Sequence, residues 1–104
     1  MIVSTTNSVE GRPVAEYRGV VCAHSVIGVN AFKDVAAGMR NVFGGRSRSY
    51  ENELGAGVAA TLDELQQQAA SLSADAVLAV DIDYETVGNN MLMVSASGTA
   101  VRLT

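Results

Sequence analysis

The sequence predicts an α+β fold, in which helices cover one face of an antiparallel sheet. Residues 13–29 and 76–103 show the two-residue alternation of strands, whereas residues 30–72 show helical spacing. Strands and helices are thus segregated along the chain, in the order β-α-α-β-β. With 104 residues, the chain has the length of one domain, which we place at 1–104.

The first long strand is predicted from Pro13 to Val29, after a short β-prone start at residues 2–5. One face of this strand carries Tyr17, Val21, Ala23 and Ile27. The other face carries Glu16, Arg18, Val20, Cys22, His24 and Val26. Gly19 and Gly28 are predicted to be bends or bulges, because glycine brings no side chain to pack in a strand.

Two helices are predicted next. Asn30 is typical of a helix cap, and apolar residues recur at helical spacing from Phe32 to Phe43. Gly44-Gly45 should end this helix, since backbone entropy opposes its continuation there.

The second helix is predicted to start at Ser47 or Ser49. Its apolar stripe advances by three or four residues each time, through Tyr50, Leu54, Val58, Leu62, Leu65, Ala69 and Leu72. Gly55 and Gly57, with the alanines beside them, form a patch of small residues that suits close approach of another backbone.

A hairpin is predicted at the C-terminus. Val80, Ile82 and Tyr84 alternate with Asp81, Asp83 and Glu85. Directly opposed residues in an antiparallel pair share a face, so the apolar row should meet Leu92, Val94 and Ala96. That matching requires an odd loop, and it predicts a three-residue loop at 88–90.

Composition narrows the function classes. Charged residues make up 17%, below the roughly 25% of ordinary domains, which favours surface hidden between subunits. The net charge of −4 argues against nucleic-acid binding, which needs a basic face. One cysteine cannot form an intrachain disulfide, so a reducing cytoplasm is expected. The start MIVSTTNSVEGR does not resemble a secretory signal, and no apolar run is long enough for a membrane span.

Cys22 and His24 are the first candidate site. They lie two apart on one predicted strand and therefore leave the same face, and thiolate and imidazole suit zinc or copper. Alternatively, Cys22 is a small half-buried hydrophobe and His24 a surface residue. A nucleophile–base pair would need a third, orienting group, and none is recognisable. No catalytic residue is predicted, and we expect the chain not to be an enzyme.

Asp81, Asp83 and Glu85 are the second candidate site, because three acids on one strand face repel one another unless partnered. They could bind a divalent cation, alone or with Cys22 and His24 if the two strands are neighbours, or they could act as general acids and bases, although no complete catalytic arrangement is recognisable. They could instead form a solvated face, or pair with arginines of the same or a neighbouring subunit. Arginine suits fork-like pairing with carboxylates, and the chain has six arginines and one lysine.

The corner GGRSRSYENEL is the third candidate. Arg46, Ser47 and Arg48 precede the second helix, where they could hold an anion or pair with acids between subunits. The spacing matches no Walker loop. The simpler interpretation is a glycine turn between two helices, followed by a serine cap.

Several segments together resemble the YbjQ family of small bacterial proteins. These are TTNSVEG, EYRGVV, NAFKD, GGRSRSYENEL, ADAVLAVDIDYE and NNMLMVSASGTAVRL. The resemblance implies an α+β subunit that assembles into a homo-oligomeric ring, a pentamer, with heavy-metal binding as the family's description and no established activity. Two positions depart from the family's pattern. Ala23-His24 stands where Gly-Glu is common, and Ser73 stands where glycine often precedes Ala-Asp-Ala.

Overall fold

The computed structural model describes residues 1–27, 48–88 and 91–104, with side chains from residue 51 onwards in the helix. Its elements are β1 (Ile2–Val3), β2 (Val14–Ile27), α1 (Arg48–Ser71), β3 (Ala76–Thr86) and β4 (Leu92–Leu103). The four strands form one sheet in the order β1-β3-β4-β2. The predicted α+β class is confirmed.

Two details of the predicted architecture differ. The sheet is mixed and not wholly antiparallel, because the short strand β1 pairs in parallel with β3. The described residues contain one helix, α1, and their element order is β-β-α-β-β. The helix predicted from Asn30 to Phe43 lies outside the described residues. So do Gly28 and the Gly44-Gly45 corner.

The C-terminal hairpin has the predicted register. Ile82 lies opposite Ala96, and Tyr84 lies opposite Val94. The Val87 amide donates to the Met91 carbonyl oxygen at 2.9 Å, so the last hydrogen-bonded pair of the hairpin encloses three residues, 88–90. The odd loop is confirmed, and it keeps the acids of β3 on the face away from the helix.

Strand β2 buries Val21, Ala23 and Ile27 as predicted, but Tyr17 is 75% exposed. The prediction for Tyr17 was wrong because the register shifts between Tyr17 and Gly19, where one extra residue reverses the alternation. Gly19 takes a φ of +134°, which confirms its predicted role as a bulge.

Helix α1 packs on β2 and β4 through its predicted stripe. Leu65 and Ala69 are fully buried, and Leu62 is partly buried against the same core. Thr61 is also fully buried, which the apolar pattern did not predict. Its hydroxyl lies 2.7 Å from the Gly57 carbonyl oxygen and 2.8 Å from the Ser25 hydroxyl, so hydrogen bonds satisfy it inside the core.

Helix α1 ends in a turn with a left-handed residue, Ser73. The Ala74 amide donates to the Ala69 carbonyl oxygen at 3.1 Å, and the Ser73 amide donates to that of Ala70 at 3.0 Å. Ser73 has a φ of 60°, the left-handed conformation that usually belongs to glycine at this position. The departure from the family's pattern at Ser73 therefore retains the turn but loses the residue best suited to it.

The N-terminal segment covers part of the second sheet face. Ala76, Leu78, Val101 and Leu103 form a buried cluster there, and Ile2, Val9 and Val14 pack against it. The Asp75 carboxylate accepts a hydrogen bond from the Leu103 amide at 2.9 Å and fixes the end of β4. The other end of this face carries the candidate site residues, and no described element packs on it.

No helix among the described residues is long and apolar enough to cross a membrane.

Candidate functional site

Cys22 and His24 lie on the open end of the sheet face that α1 does not cover; we call it the outer face. The two side chains share a face, as their two-residue spacing predicts, and both are exposed, so the alternative of a half-buried Cys22 was wrong. Across the sheet, Cys22 lies opposite Ser97 of β4 and His24 lies opposite Ser95. The first candidate pair therefore shares a face and is accessible.

Asp81, Asp83 and Glu85 lie on the same outer face, along β3. Asp81 lies opposite Ser97, and Asp83 lies opposite Ser95. Thus β4 separates the acids from Cys22 and His24, which lie on β2. Two strand spacings amount to about 10 Å between the backbones, so the two rows are not side by side in one chain. The strands are not neighbours within one chain, which was the condition for a combined site.

The acids interact with one another along β3. A hydrogen bond with Asp81 raises the pKa of the Asp83 carboxyl above its ordinary value, as does the negative charge of Asp81, with a smaller contribution from Glu85. Because the raised pKa favours the protonated form, Asp83 contributes stability at low pH that is lost as pH rises through its folded pKa. The row is thus a concentration of negative charge on an exposed strand.

The described residues do not form a closed metal site in one chain. They contain no group of three or more histidine, cysteine, aspartate or glutamate side chains that could hold a metal ion. Cys22 and His24 offer two donors, whereas a structural zinc site needs four. One subunit's described residues therefore do not fit a heavy metal ion by themselves.

The arginine corner is only partly described. Arg46 and Ser47 lie outside the described residues, and Arg48 begins α1 without a described side chain. Their predicted role in anion binding or ion pairing stays a prediction.

Arg18 has a structural role that the sequence did not reveal. Its Nη1 donates to the Glu16 carboxylate at 2.7 Å, and its Nε donates to the Leu72 carbonyl oxygen at 2.7 Å. Arg18 is the extra residue of the bulge before Gly19, which turns its side chain towards the end of α1. Strand alternation alone placed it on the opposite face.

The geometry does not support a nucleophile–base mechanism for Cys22 and His24. Within the part of the chain that the structure describes, no hydrogen bond orients the His24 ring. The backbone amide of Cys22 donates to the Gln68 side-chain oxygen at 3.3 Å. This contact ties the open edge of β2 to α1 and involves no reactive atom.

A shallow groove of about 430 Å³ lies between the end of β2 and the first half of α1. Its walls are Ser25, Val26, Ile27, Glu53, Ala56, Gly57 and Ala60. Part of the predicted small-residue patch lines this groove, and a Cβ atom added at Gly57 would come into van der Waals contact with Val94 and Ile27 of the sheet. Small residues at helical spacing were the only sequence signal for it.

Comparisons with known proteins identify relatives along the whole chain. A family model described as "putative heavy-metal-binding" matches residues 1–104. A "UPF0145 protein" of Clostridium kluyveri is 54% identical over 103 residues, covering 97% of each chain. Proteins with the same name from Acetivibrio thermocellus and Bifidobacterium longum are 52% and 51% identical, covering 97% and 99% of this chain and 97% and 96% of their own.

The fold is similar to that of a solved structure. A crystal structure from Pediococcus pentosaceus, of a protein of unknown function in the DUF74 family, matches with a TM-score of 0.64. It covers 100% of this chain and 98% of its own, at 15% identity. The likeness at this identity concerns the fold alone. The names of these relatives state no catalytic activity.

Proposed function

Because the chain belongs to the YbjQ family, we propose that it works as a subunit of a homo-oligomer and binds a heavy metal only as part of that assembly. The observation that carries this proposal is the division of the donors. Cys22 and His24 lie on β2, the acids lie on β3, and β4 separates them. Donors from a second copy could complete a coordination shell that one chain leaves incomplete.

The assembly that we propose is a closed ring, and a pentamer is the size that the family resemblance implies. Small size and a charged fraction of 17% support self-association, because a small monomer buries a limited share of its surface. We place the ring in the cytoplasm and give it neither a nucleic-acid partner nor a membrane partner. We also give it no catalytic role.

A second candidate function is assembly without a metal. It is favoured by the lack of a three-donor group among the described residues. In that case the acids of β3 would be held by arginines, with Arg46 and Arg48 as the proposed partners across subunits.

Metal content distinguishes the two candidates. We expect the untagged parent protein to retain zinc or copper after dialysis, and the double variant Cys22→Ser, His24→Ala to lose it, because thiolate and imidazole are the soft donors. Elemental analysis measures both. The matched control is Ser95→Ala with Ser97→Ala, which changes the neighbouring strand of the same face, removes none of the proposed donors and should leave the metal bound.

Other outcomes change the assignment. If the Cys22 and His24 variant retains as much metal as the parent, we would assign the metal site to Asp81, Asp83 and Glu85 instead. If neither form retains metal, the assembly-only function replaces the metal-binding one. Replacing Arg46 and Arg48 with alanine should then weaken the assembly, and so should salt, which screens exposed charges beyond ~8 Å at physiological ionic strength.

A further inference from the structure

Among residues 1–27, 48–88 and 91–104, no strand pairs with the outer edge of β2. Strand β2 is the terminal strand in the order β1-β3-β4-β2, and it is 14 residues long. The Cys22 amide points to this edge, as its bond to Gln68 shows, so the backbone groups of Val20, His24 and Val26 point there too. The Cys22 amide is already bonded to a side chain, but no described strand pairs with this edge, and a long edge without a neighbouring strand is a template for another strand.

Strand β3 leaves half of the opposite edge open. Its first residues pair with the N-terminal segment, since the Ser4 amide donates to the Val77 carbonyl oxygen at 2.9 Å and the Val80 amide donates to that of Ser4 at 3.0 Å. The strand continues to Thr86. From Asp81 to Thr86, the described residues provide no strand on this side.

The exposed hydrophobic side chains concentrate at these two edges. Six large ones are exposed among the described residues: Met1, Tyr17, Val20, Val26, Tyr84 and Val87. Three of them belong to β2, and two lie at the open end of β3 or directly after it. Val20 is 79% exposed and Tyr84 is 55% exposed. Apolar side chains along open edges indicate surfaces that another chain covers.

Charge decides which edges can meet. Two β3 edges together would bring Asp81, Asp83 and Glu85 against their own copies, and like charges directly opposed destabilise a sheet. The open part of β2 from Val20 to Val26 carries no carboxylate and includes His24. Pairing the edge of β3 with that of β2 therefore avoids the repulsion between carboxylates that two β3 edges would have.

The strand directions fit a ring. Both β2 and β3 run antiparallel to β4, so they run parallel to each other. Around a rotation axis that runs along the strands, head-to-tail contacts preserve strand direction, so β3 of one copy would meet β2 of the next in parallel. Such pairing covers the open part of β2 and the open part of β3 in every subunit, and closing the ring leaves neither of these parts unpaired.

We propose that a second copy of this chain pairs the open edge of its β2 with Asp81–Thr86 of β3, and that repetition of this contact builds the ring. The inference rests on the proposed homo-oligomer and names its interface. The pairing brings Cys22 and His24 of one copy beside the acids of the next, at one strand spacing of about 4.8 Å instead of two. Donors that β4 separates within a chain would then be neighbours between chains.

Disulfide trapping tests the contact, because Cys22 is the only cysteine and is exposed. Asp81→Cys, Asp83→Cys and Glu85→Cys are made singly, oxidised mildly and run on denaturing gels without reductant. Within a chain, the second cysteine lies about 10 Å from Cys22, beyond the ~7 Å limit between Cα atoms for a disulfide. Paired β2 and β3 edges should therefore give a ladder of covalent multimers in at least one variant.

The matched control adds Cys22→Ser to each variant, which leaves one cysteine per chain and allows nothing larger than a dimer. No ladder from an oligomeric protein would overturn the proposed interface while leaving the homo-oligomer in place. Efficient formation of Cys22–Cys22 dimers by the oxidised parent would also overturn it, since such dimers would show that β2 of one copy pairs with β2 of another. A monomeric parent would refute the proposed function itself.

Charge substitution gives an independent measurement. Val20→Glu with Val26→Glu should dissociate the ring at least tenfold more readily, because the new carboxylates would face the acids of β3. Val20→Lys with Val26→Lys should preserve the ring. Loss of the ring in both variants, with circular dichroism unchanged, would contradict the contact with β3.

Discussion

Replacing Gly98 with alanine should lower the free energy of unfolding by about 1–3 kcal/mol, the usual cost of an overpacked core. A Cβ atom at Gly98 would lie 2.6 Å from Cγ1 of Val77 and 3.1 Å from the Leu78 carbonyl oxygen. One of these neighbours is backbone at the β3 bulge, where Ala79 already has a φ of 53°. The strand therefore has little freedom to move away.

Gly57→Ala is the matched control for this substitution. The nearest atoms to its new Cβ, at 3.5 Å or more, are in ordinary van der Waals contact. Alanine also favours a helix interior by roughly 1 kcal/mol over glycine, so this variant should be slightly more stable than the parent. Chemical unfolding measures both. Equal stability of the two variants would mean that the close approach of β3 to Gly98 is wrong.

Leu65→Ala should cost about 2–5 kcal/mol, the range for a leucine truncated in a packed core. Leu65 is fully buried between α1 and the sheet, in one cluster with Val21, Val77 and Ala96. Truncation removes apolar contacts and leaves a cavity that the sheet cannot readily fill.

Leu62→Ala provides the comparison, because Leu62 packs against the same cluster but is only partly buried. Its cost should be the smaller of the two. Unfolding curves of Leu65→Ala that overlay those of the parent would show that α1 does not seat on the sheet as described.

Local patterns predicted the elements well, because each depends on residues near one another in sequence. Alternation predicted the hairpin register of Ile82 with Ala96 and the three-residue loop. Helical spacing predicted the burial of Leu65 and Ala69. The failure at Tyr17 also has a local cause, since a bulge adds one residue and alternation reverses beyond it.

Long-range features escaped prediction. Residues 2–5 carry no signal for their parallel pairing with β3. The lack of space for a side chain at Gly98 likewise arises only when the fold places Val77 beside it. The sequence did not predict the burial of Thr61, because a hydroxyl group is expected at the surface unless its hydrogen-bond partners inside the fold are known.

For the candidate site residues, the sequence predicted the placement within each strand but not the distance between the strands, because that distance depends on long-range pairing. Spacing placed Cys22 with His24, and Asp81 with Asp83, on shared strand faces, which the exposed outer face confirms. The distance between the two rows depends on strand order. Alternation in a single sequence carries no information on whether β4 lies between β2 and β3.

The central claim is that this chain works as a homo-oligomer, and its mass in solution tests that claim most directly. Light scattering of the untagged parent at micromolar concentration should give a multiple of the 10.8 kDa subunit, and five subunits are the size we propose. A monomer mass across that concentration range would contradict the account.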